Sequence, residues 1–290
     1  MIYLTKEEWN KYIIPLLIHD NLFDDEVKRN IEIKLILLEI IDIIFRDKNI
    51  QSQNDSISID KMNILYYSMI YYNKYKIVSN SVFTENKKCI CISCILLAFK
   101  KDNKVIDINS FSKTIEPYLN YEIPDDIQLQ IKEINNLIVE IEFKILNSIQ
   151  FNIGIDNPYA FFGMVELYLQ NIEIENNVIE EIIKLFHFYI DKSILFPLYL
   201  YYTSYEIALS CILLIKEKQK YNFINIDDII KLSKLQIDVN NIAQCEKYIF
   251  KIIDALSIKS LDNISQQTLN INSEEENLCF DFISSINQNP

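Results

Sequence analysis

The stretch CISCILLAFKK, residues 91–101, contains the pentapeptide SCILL, which occurs again in ALSCILLIKEK, residues 208–218. The copies begin at Ser93 and Ser210. Each stretch is apolar on nearly every side when it is drawn as a helix, and such a helix is normally buried among its neighbours. The repeated pentapeptide therefore predicts that the chain contains the same central helix twice.

The segments around the two copies also repeat in the same order. An aromatic-rich helix that ends in a polar residue and a lysine precedes each copy, at residues 73–74 and 191–192. A helix that carries a glutamate follows each copy, with Glu142 in the first and Glu246 in the second. Since the order and the gaps agree, we predict two tandem helical units of ordinary domain size.

These patterns predict an all-α fold built from two tandem helical repeats. The segment FNIGIDNPY, residues 151–159, combines a glycine, an Asp-Asn pair and a proline, and it indicates a break between the repeats. The predicted boundaries are N-terminal helices at 1–55, a first repeat at 56–155, a second repeat at 156–256 and an acidic, polar tail at 257–290.

The composition excludes several classes of function. Only two glycines are present, which argues against glycine-rich phosphate-binding loops. A net charge of −13 argues against direct binding to nucleic acid or to an anionic membrane surface. The most apolar run, residues 31–45, is too short to span a bilayer and contains charges. The start, MIYLTKEEWNKY, lacks the pattern of a signal peptide, so we expect an intracellular chain.

Residues with catalytic or metal-binding chemistry are few. His19 and His187 lie in apolar helical contexts. Cys91 and Cys94 share one face of the predicted helix, whereas Cys89 does not, and a zinc site would need a fourth ligand. Reduced cysteine is among the most buried residue types. We therefore predict buried thiols, no metal, no cofactor and no catalytic residues, and a protein that acts by presenting a surface.

Three segments carry a resemblance to a known family. IYYNKYKI (70–77) resembles the aromatic–basic–aromatic helix of the cyclin box, and CISCILLAFKKDN (91–103) resembles its central helix. EIEFKILNSIQFNIGIDNPYAFF (140–162) resembles its fifth helix and the beginning of a second repeat. The chain is thus similar to the cyclin family over residues 60–256, which implies two tandem five-helix cyclin-box repeats.

The resemblance implies a regulatory subunit, not an enzyme, that binds a cyclin-dependent kinase. A lysine and a glutamate of the family hydrogen-bond the kinase backbone beside its αC helix, and Lys100 and Glu142 match them. Apolar positions that pack on the kinase helix match Leu146 and Ile153. The implied kinase-binding set is Lys100, Lys101, Asp102, Glu142, Leu146 and Ile153.

This sequence departs from the family pattern at three positions near that set. Asn103 stands where a second acidic residue is usual, and Lys101 adds a positive charge. Lys74 replaces the usual arginine and therefore lacks its bidentate donor fork. The Lys100 and Glu142 positions are both retained.

The substrate-docking helix of cell-cycle cyclins has no match in residues 31–40, which points to the transcription-associated branch of the family. Within that branch, residues 157–169 and 199–213 most resemble the cyclin H type. That likeness implies a CDK-activating kinase as partner, with a RING-type assembly factor and general transcription factor H. It also implies that the protein is located in the nucleus, with a further fraction in the cytoplasm.

The sequence is also compatible with other kinds of protein. A cyclin of the C, K or L type has a similar pattern. A helical adaptor without a kinase, and a DNA-binding core like that of transcription factor IIB, could share the tandem fold. The acidic charge and the helical start argue against the DNA-binding core.

Overall fold

The structure is a computed structural model that describes residues 6–46, 57–79, 87–102, 107–119, 127–154, 156–233 and 237–259. Within these ranges the regular secondary structure is helical throughout, with no strand, which confirms the predicted all-α class. None of the helices in the same ranges is both long enough and apolar enough to cross a bilayer.

The helices follow the predicted order. The N-terminal half contains α1 (Lys6–Glu8), a π-helical turn (Trp9–Ile13), α2 (Ile14–Ile18), α3 (Asp20–Arg46), α4 (Ile57–Ser79), α5 (Lys87–Lys101), α6 (Ile108–Leu119) and α7 (Ile127–Ser148). The C-terminal half contains a 3₁₀ turn (Pro158–Phe161), α8 (Phe162–Asn171), α9 (Asn176–Ser193), a 3₁₀ turn (Pro197–Leu200), α10 (Ser204–Gln219), α11 (Ile226–Ser233) and α12 (Val239–Lys259). Helix α12 thus reaches into the predicted tail, and residues 260–290 lie outside the described ranges.

Helices α5 and α10, which carry the repeated pentapeptide, lie at the centres of the two repeats. Every α5 side chain from Cys89 to Phe99 is buried. The hydroxyl of Ser93 lies 3.1 Å from the carbonyl oxygen of Ile138 on α7. The hydroxyl of Ser210 lies 2.9 Å from the carbonyl oxygen of Ile242 on α12. Each hydroxyl also lies within hydrogen-bond distance of a carbonyl oxygen of its own helix, Cys89 for Ser93 and Glu206 for Ser210. The repeated serine therefore makes the same two contacts in both repeats, one within the central helix and one to the last helix of its repeat.

Each repeat contains five helices when α3 is counted with the first. Helix α3 packs on α4, α5 and α6, while α8 packs on α9 and α11. Among the described residues the sets α3–α7 and α8–α12 therefore correspond in order with five helices each, whereas the prediction placed α3 outside the first repeat. The predicted range 56–155 contains only α4–α7, and the placing of that boundary stays a prediction.

The N-terminal segments contact the second repeat as well as the first. The indole of Trp9 stacks on the ring of Tyr201, with 4.6 Å between centroids. The ring of Phe23 on α3 stacks on Phe196, with 4.8 Å between centroids. Helix α3, which packs on α4 and α5 of the first repeat, thus also contacts the second repeat through Phe23.

An ion pair joins α3 to α9 across the same junction. The ammonium of Lys34 lies 2.6 Å from a carboxylate oxygen of Asp191, and both side chains are largely buried. Burial alone would raise the pKa of Asp191, but the charges of Lys34 and Lys192 outweigh it and hold that pKa below its ordinary value. The carboxylate therefore stays ionised in the folded protein.

Replacing Asp191 tests how much the ion pair between α3 and α9 contributes to the stability of the protein. Asp191→Asn removes the carboxylate that pairs with the largely buried Lys34 ammonium and with Lys192, so we expect the free energy of unfolding to fall by about 3 kcal/mol. Urea denaturation at pH 7 measures it. Asp228→Asn is the matched control, because the Asp228–Lys231 pair is exposed, and it should leave the stability nearly unchanged. Equal losses for the two variants would contradict a special role of the junction.

The same pair predicts a pH dependence. The folded-state pKa of Asp191 is lowered, so its stabilising contribution is fully present above the unfolded-state value, about pH 4. That contribution is lost as the pH falls through the lowered pKa. The difference in unfolding free energy between the wild type and Asp191→Asn should therefore be constant near neutrality and shrink below about pH 4. A difference that is unchanged at pH 3 would refute the assignment.

Candidate functional site

Lys100 occupies the end of the central helix of the first repeat. It follows directly after the buried run of α5, in the last turn of the helix. A cation at this position is favoured by the partial negative charge at a helix C-terminus. Its side chain is half exposed, so the ammonium group lies at the surface while the helix that carries it is held in the core.

Glu142 on α7 is the partner of Lys100. A carboxylate oxygen of Glu142 pairs with the Lys100 ammonium, and the Glu142 side chain is only 8% exposed. An ammonium has three N–H donors and a carboxylate has about four acceptor positions, so one bond between them leaves capacity for a further partner. The fold thus brings together the two charged groups that the sequence singled out.

The packing of α5 against α7 explains this meeting. Ile138, whose carbonyl oxygen lies beside the Ser93 hydroxyl, is one helical turn before Glu142. Lys100 lies two turns beyond Ser93 on α5. The packing that puts Ser93 beside Ile138 therefore also places the half-exposed Lys100 ammonium next to the buried Glu142 carboxylate.

Lys101 and Asp102 lie towards α4. The ammonium of Lys101 is 5.3 Å from the ring centroid of Tyr67. Burial raises the pKa of the Tyr67 hydroxyl, and the negative charge of Asp102 adds to that effect. These two members of the predicted set are thus associated with Tyr67 on the side of α5 that faces α4.

Leu146 and Ile153 are partly buried and pack against the core. The carbonyl oxygen of Ile153 accepts a hydrogen bond of 3.1 Å from the hydroxyl of Tyr71 on α4, which anchors the segment after α7. Their roles as apolar contacts for a partner stay a prediction. Their exposed fractions are small, so they would contribute only part of a docking surface.

Two exposed phenylalanines beside this set were missed by the sequence reasoning. Phe143 is 56% exposed and Phe151 is 57% exposed. Their ring centroids lie 5.9 Å apart in an edge-to-face arrangement. The sequence did contain a signal for the exposure of Phe143, because this residue lies outside the apolar stripe of α7. Phe151 lies after the helix, where periodicity makes no prediction.

The second repeat does not reproduce the charge pair. The register set by Ser210 and Ile242 places Glu217 where Lys100 lies in the first repeat, and Glu246 where Glu142 lies. Burial raises the pKa of Glu246, and the negative charge of Glu217 raises it further. Two carboxylates repel each other, whereas Lys100 and Glu142 attract each other. The equivalent ends of the two repeats therefore differ in their electrostatics although their helices are arranged in the same way.

The cysteines of α5 are core residues. Cys89, Cys91 and Cys94 are free thiols with buried side chains, and burial raises the pKa of each, which confirms the predicted buried thiols. Throughout the described ranges, no three His, Cys, Asp or Glu side chains gather as metal ligands would. Both histidines, His19 and His187, have exposed side chains despite their apolar neighbours in the sequence.

The Lys100–Glu142 pair should contribute less to stability than the Lys34–Asp191 pair, because water reaches the half-exposed Lys100. Lys100→Ala removes the counter-charge of the buried Glu142 carboxylate, so we expect the free energy of unfolding to fall by about 1–2 kcal/mol. Urea denaturation of the purified variant measures it. A loss comparable to that expected for Asp191→Asn would show that the pair is a structural element.

No protein-family model and no curated protein matches the sequence of this chain.

Solved structures with a similar fold include three complexes. A chain of the yeast TFIIK complex (Kin28/Ccl1/Tfb3) superposes with a TM-score of 0.55 at 18% identity, over 86% of this chain and 96% of that one. A chain of the CAK complex of Chaetomium thermophilum bound to ATP-γ-S gives 0.51 at 13%, over 84% and 69%. A chain of the yeast RNA polymerase II CTD kinase complex CTDK-1 gives 0.58 at 12%, over 93% and 76%.

These neighbours belong to assemblies of a cyclin with a kinase. At such identities the likeness shows a shared fold and nothing further. The chain therefore has a cyclin-like, all-α fold, on which Lys100 and Glu142 meet at the surface between α5 and α7.

Proposed function

We propose that this protein is a cyclin, a regulatory subunit that binds and activates a cyclin-dependent kinase. The observation that carries the proposal is the Lys100–Glu142 pair, which lies at the surface end of the central helix on a cyclin-like fold. A structural adaptor without a kinase would not need a buried glutamate paired with a half-exposed lysine at this place.

Activation would work by positioning. An active kinase requires an ion pair between a lysine of its β3 strand and a glutamate of its αC helix, and αC must lie inward to form it. The ammonium of Lys100 would donate to backbone carbonyls near one end of αC, and Glu142 would accept from backbone N–H groups. Because both residues are mounted on packed helices, they would hold αC in the active position.

We further infer that the chain is of the cyclin H type, within a CDK-activating kinase associated with general transcription factor H. The resemblance of residues 157–169 and 199–213 supports this, as does the similarity to chains of the TFIIK and CAK complexes. Tfb3 is the third component of TFIIK, which supports a RING-type assembly factor as an additional partner. The protein would then be located in the nucleus, with a further fraction in the cytoplasm.

A second candidate is another transcription cyclin of the C, K or L type. The similarity to a chain of CTDK-1, which has the highest TM-score of the three structures described, favours it. Both candidates share the kinase-binding mechanism and differ in the additional partners.

Affinity purification tests the shared mechanism. The tagged wild type and the variant Lys100→Ala/Glu142→Ala are recovered from the native cells, and bound proteins are identified by mass spectrometry. A charge-assisted hydrogen bond contributes about 1.5–3 kcal/mol, so the double substitution should reduce the bound kinase by at least about tenfold. A kinase with a RING-type factor on the wild type supports the cyclin H type, and a kinase without it supports the second candidate.

The second repeat supplies the matched control. Glu217→Ala/Glu246→Ala changes the two equivalent positions on α10 and α12, and it should leave the amount of bound kinase unchanged. If the wild type binds no kinase, the proposed function is wrong and a helical adaptor takes its place. If the control loses the kinase and Lys100→Ala/Glu142→Ala retains it, the binding site is wrong.

A further inference from the structure

A cleft lies where the N-terminal helices meet both repeats. Most of its lining is apolar or aromatic, and it comes from the π-helical turn, α2, α4 and the 3₁₀ turn before α10: Tyr12, Ile13, Leu16, Ile77 and Pro197. Its volume is about 170 Å³. A cavity of about 150 Å³ can hold one benzene ring, so the cleft has room for a ligand with a single ring-sized apolar group.

One end of the cleft is charged and is formed by Glu26 on α3 and Lys76 on α4. The Lys76 ammonium lies 2.7 Å and 2.9 Å from the two oxygens of the largely buried Glu26 carboxylate. The Asn30 amide donates to the same carboxylate at 3.1 Å, and the Arg29 guanidinium lies 2.9 Å from it. A carboxylate has about four acceptor positions, so the neighbours of Glu26 already occupy its acceptor capacity.

Lys76 retains a donor that these contacts do not use. An ammonium has three N–H groups, and among the described residues Glu26 is the sole hydrogen-bond acceptor of the Lys76 ammonium. The Lys76 side chain lines the cleft and is only 22% exposed. A largely buried donor without an acceptor is unfavourable, and an acceptor atom of a ligand in the cleft would satisfy it.

The charges around Lys76 favour an anionic ligand. Arg29 and Lys87 add positive charge, while Glu26 and Glu32, which lies 4.0 Å from Lys87, supply the carboxylates. Burial lowers the pKa of Lys76, and Arg29 and Lys87 lower it further against the effect of Glu26. An anion beside Lys76 would offset both the burial and the repulsion, whereas a cation would increase the repulsion.

We propose that this cleft binds a small carboxylic acid with one ring-sized apolar group, its carboxylate on the Lys76 ammonium and its apolar group between Leu16 and Pro197. The ligand would bridge α2, α4 and the 3₁₀ turn, and so connect the N-terminal helices to both repeats. The site is independent of the proposed function. Lys87 begins α5 and Lys100 ends it, so the cleft lies towards the opposite end of the central helix, roughly 20 Å away.

A series of three ligands with the same ring tests the charge preference on the wild type. Benzoate, benzamide and benzylammonium are titrated into the purified full chain at pH 7, and Kd is measured by NMR with methyl-labelled isoleucine. Benzoate should bind with a Kd of about 1 mM, an ordinary affinity for a ligand of its size, and shift the signals of Ile13 and Ile77. Benzylammonium should bind at least about tenfold more weakly, with benzamide between them.

Two variants test the named contacts. Lys76→Met keeps the apolar stem and removes the donor, so it should weaken benzoate binding by at least about tenfold. Leu16→Trp fills the cleft and leaves the charged end intact, so it should abolish binding even if Lys76→Met fails to fold. The matched control is Lys61→Met, because Lys61 also pairs with a carboxylate, Asp42 at 2.7 Å, but does not line the cleft. It should change Kd by less than about twofold.

Folding of each variant is checked by circular dichroism before the titration. Equal affinities for the three ligands, or benzoate shifts that spare Ile13 and Ile77, would overturn the proposal. Wild-type affinity in a folded Leu16→Trp variant would do the same, as would the absence of any benzoate shift on the wild type at 20-fold the expected Kd. Because no kinase enters these titrations, failure of the proposed function would leave their outcome unaffected.

Discussion

The contact between the central helix and the last helix of each repeat is the constraint on which the fold depends. Helix α5 is apolar on all sides, so it is stable only when other helices surround it. The Ser93 hydroxyl, which bonds the Cys89 carbonyl of its own helix, also lies beside the Ile138 carbonyl in the register in which α5 and α7 pack. That register decides which residues meet at the surface, and Lys100 with Glu142 is its consequence. The core of the repeat thus determines the candidate site.

The same scaffold is used twice with different surface chemistry. Ser210 and Ile242 repeat the internal contact, yet the equivalent positions carry Glu217 and Glu246 where the first repeat has a lysine and a glutamate. Core positions are constrained by packing density, so the pentapeptide recurs. Surface positions are free of that constraint and can diverge. A tandem fold can therefore carry a docking surface on one repeat, while the equivalent end of the other repeat carries different charges.

The N-terminal helices add to the contacts between the two repeats. Trp9 and Phe23 stack on aromatic rings of the second repeat, and Lys34 pairs with Asp191. A surface built on α5 and α7 needs a rigid base, because a partner helix is positioned only as well as the groups that hold it. Helix α3, buried against both repeats, supplies part of that base.

The sequence by itself determined the all-α class, the order of the helices and the two central helices, because helical periodicity and apolar content are local properties. It also pointed to Lys100 and Glu142, through a resemblance carried by short segments. Only the tertiary structure decided that Lys34 reaches Asp191 and that the ring of Phe151 lies against the ring of Phe143. These contacts join residues from different helices or follow from a left-handed turn. Local patterns cannot predict them, because they depend on how packed helices bring distant parts of the chain together.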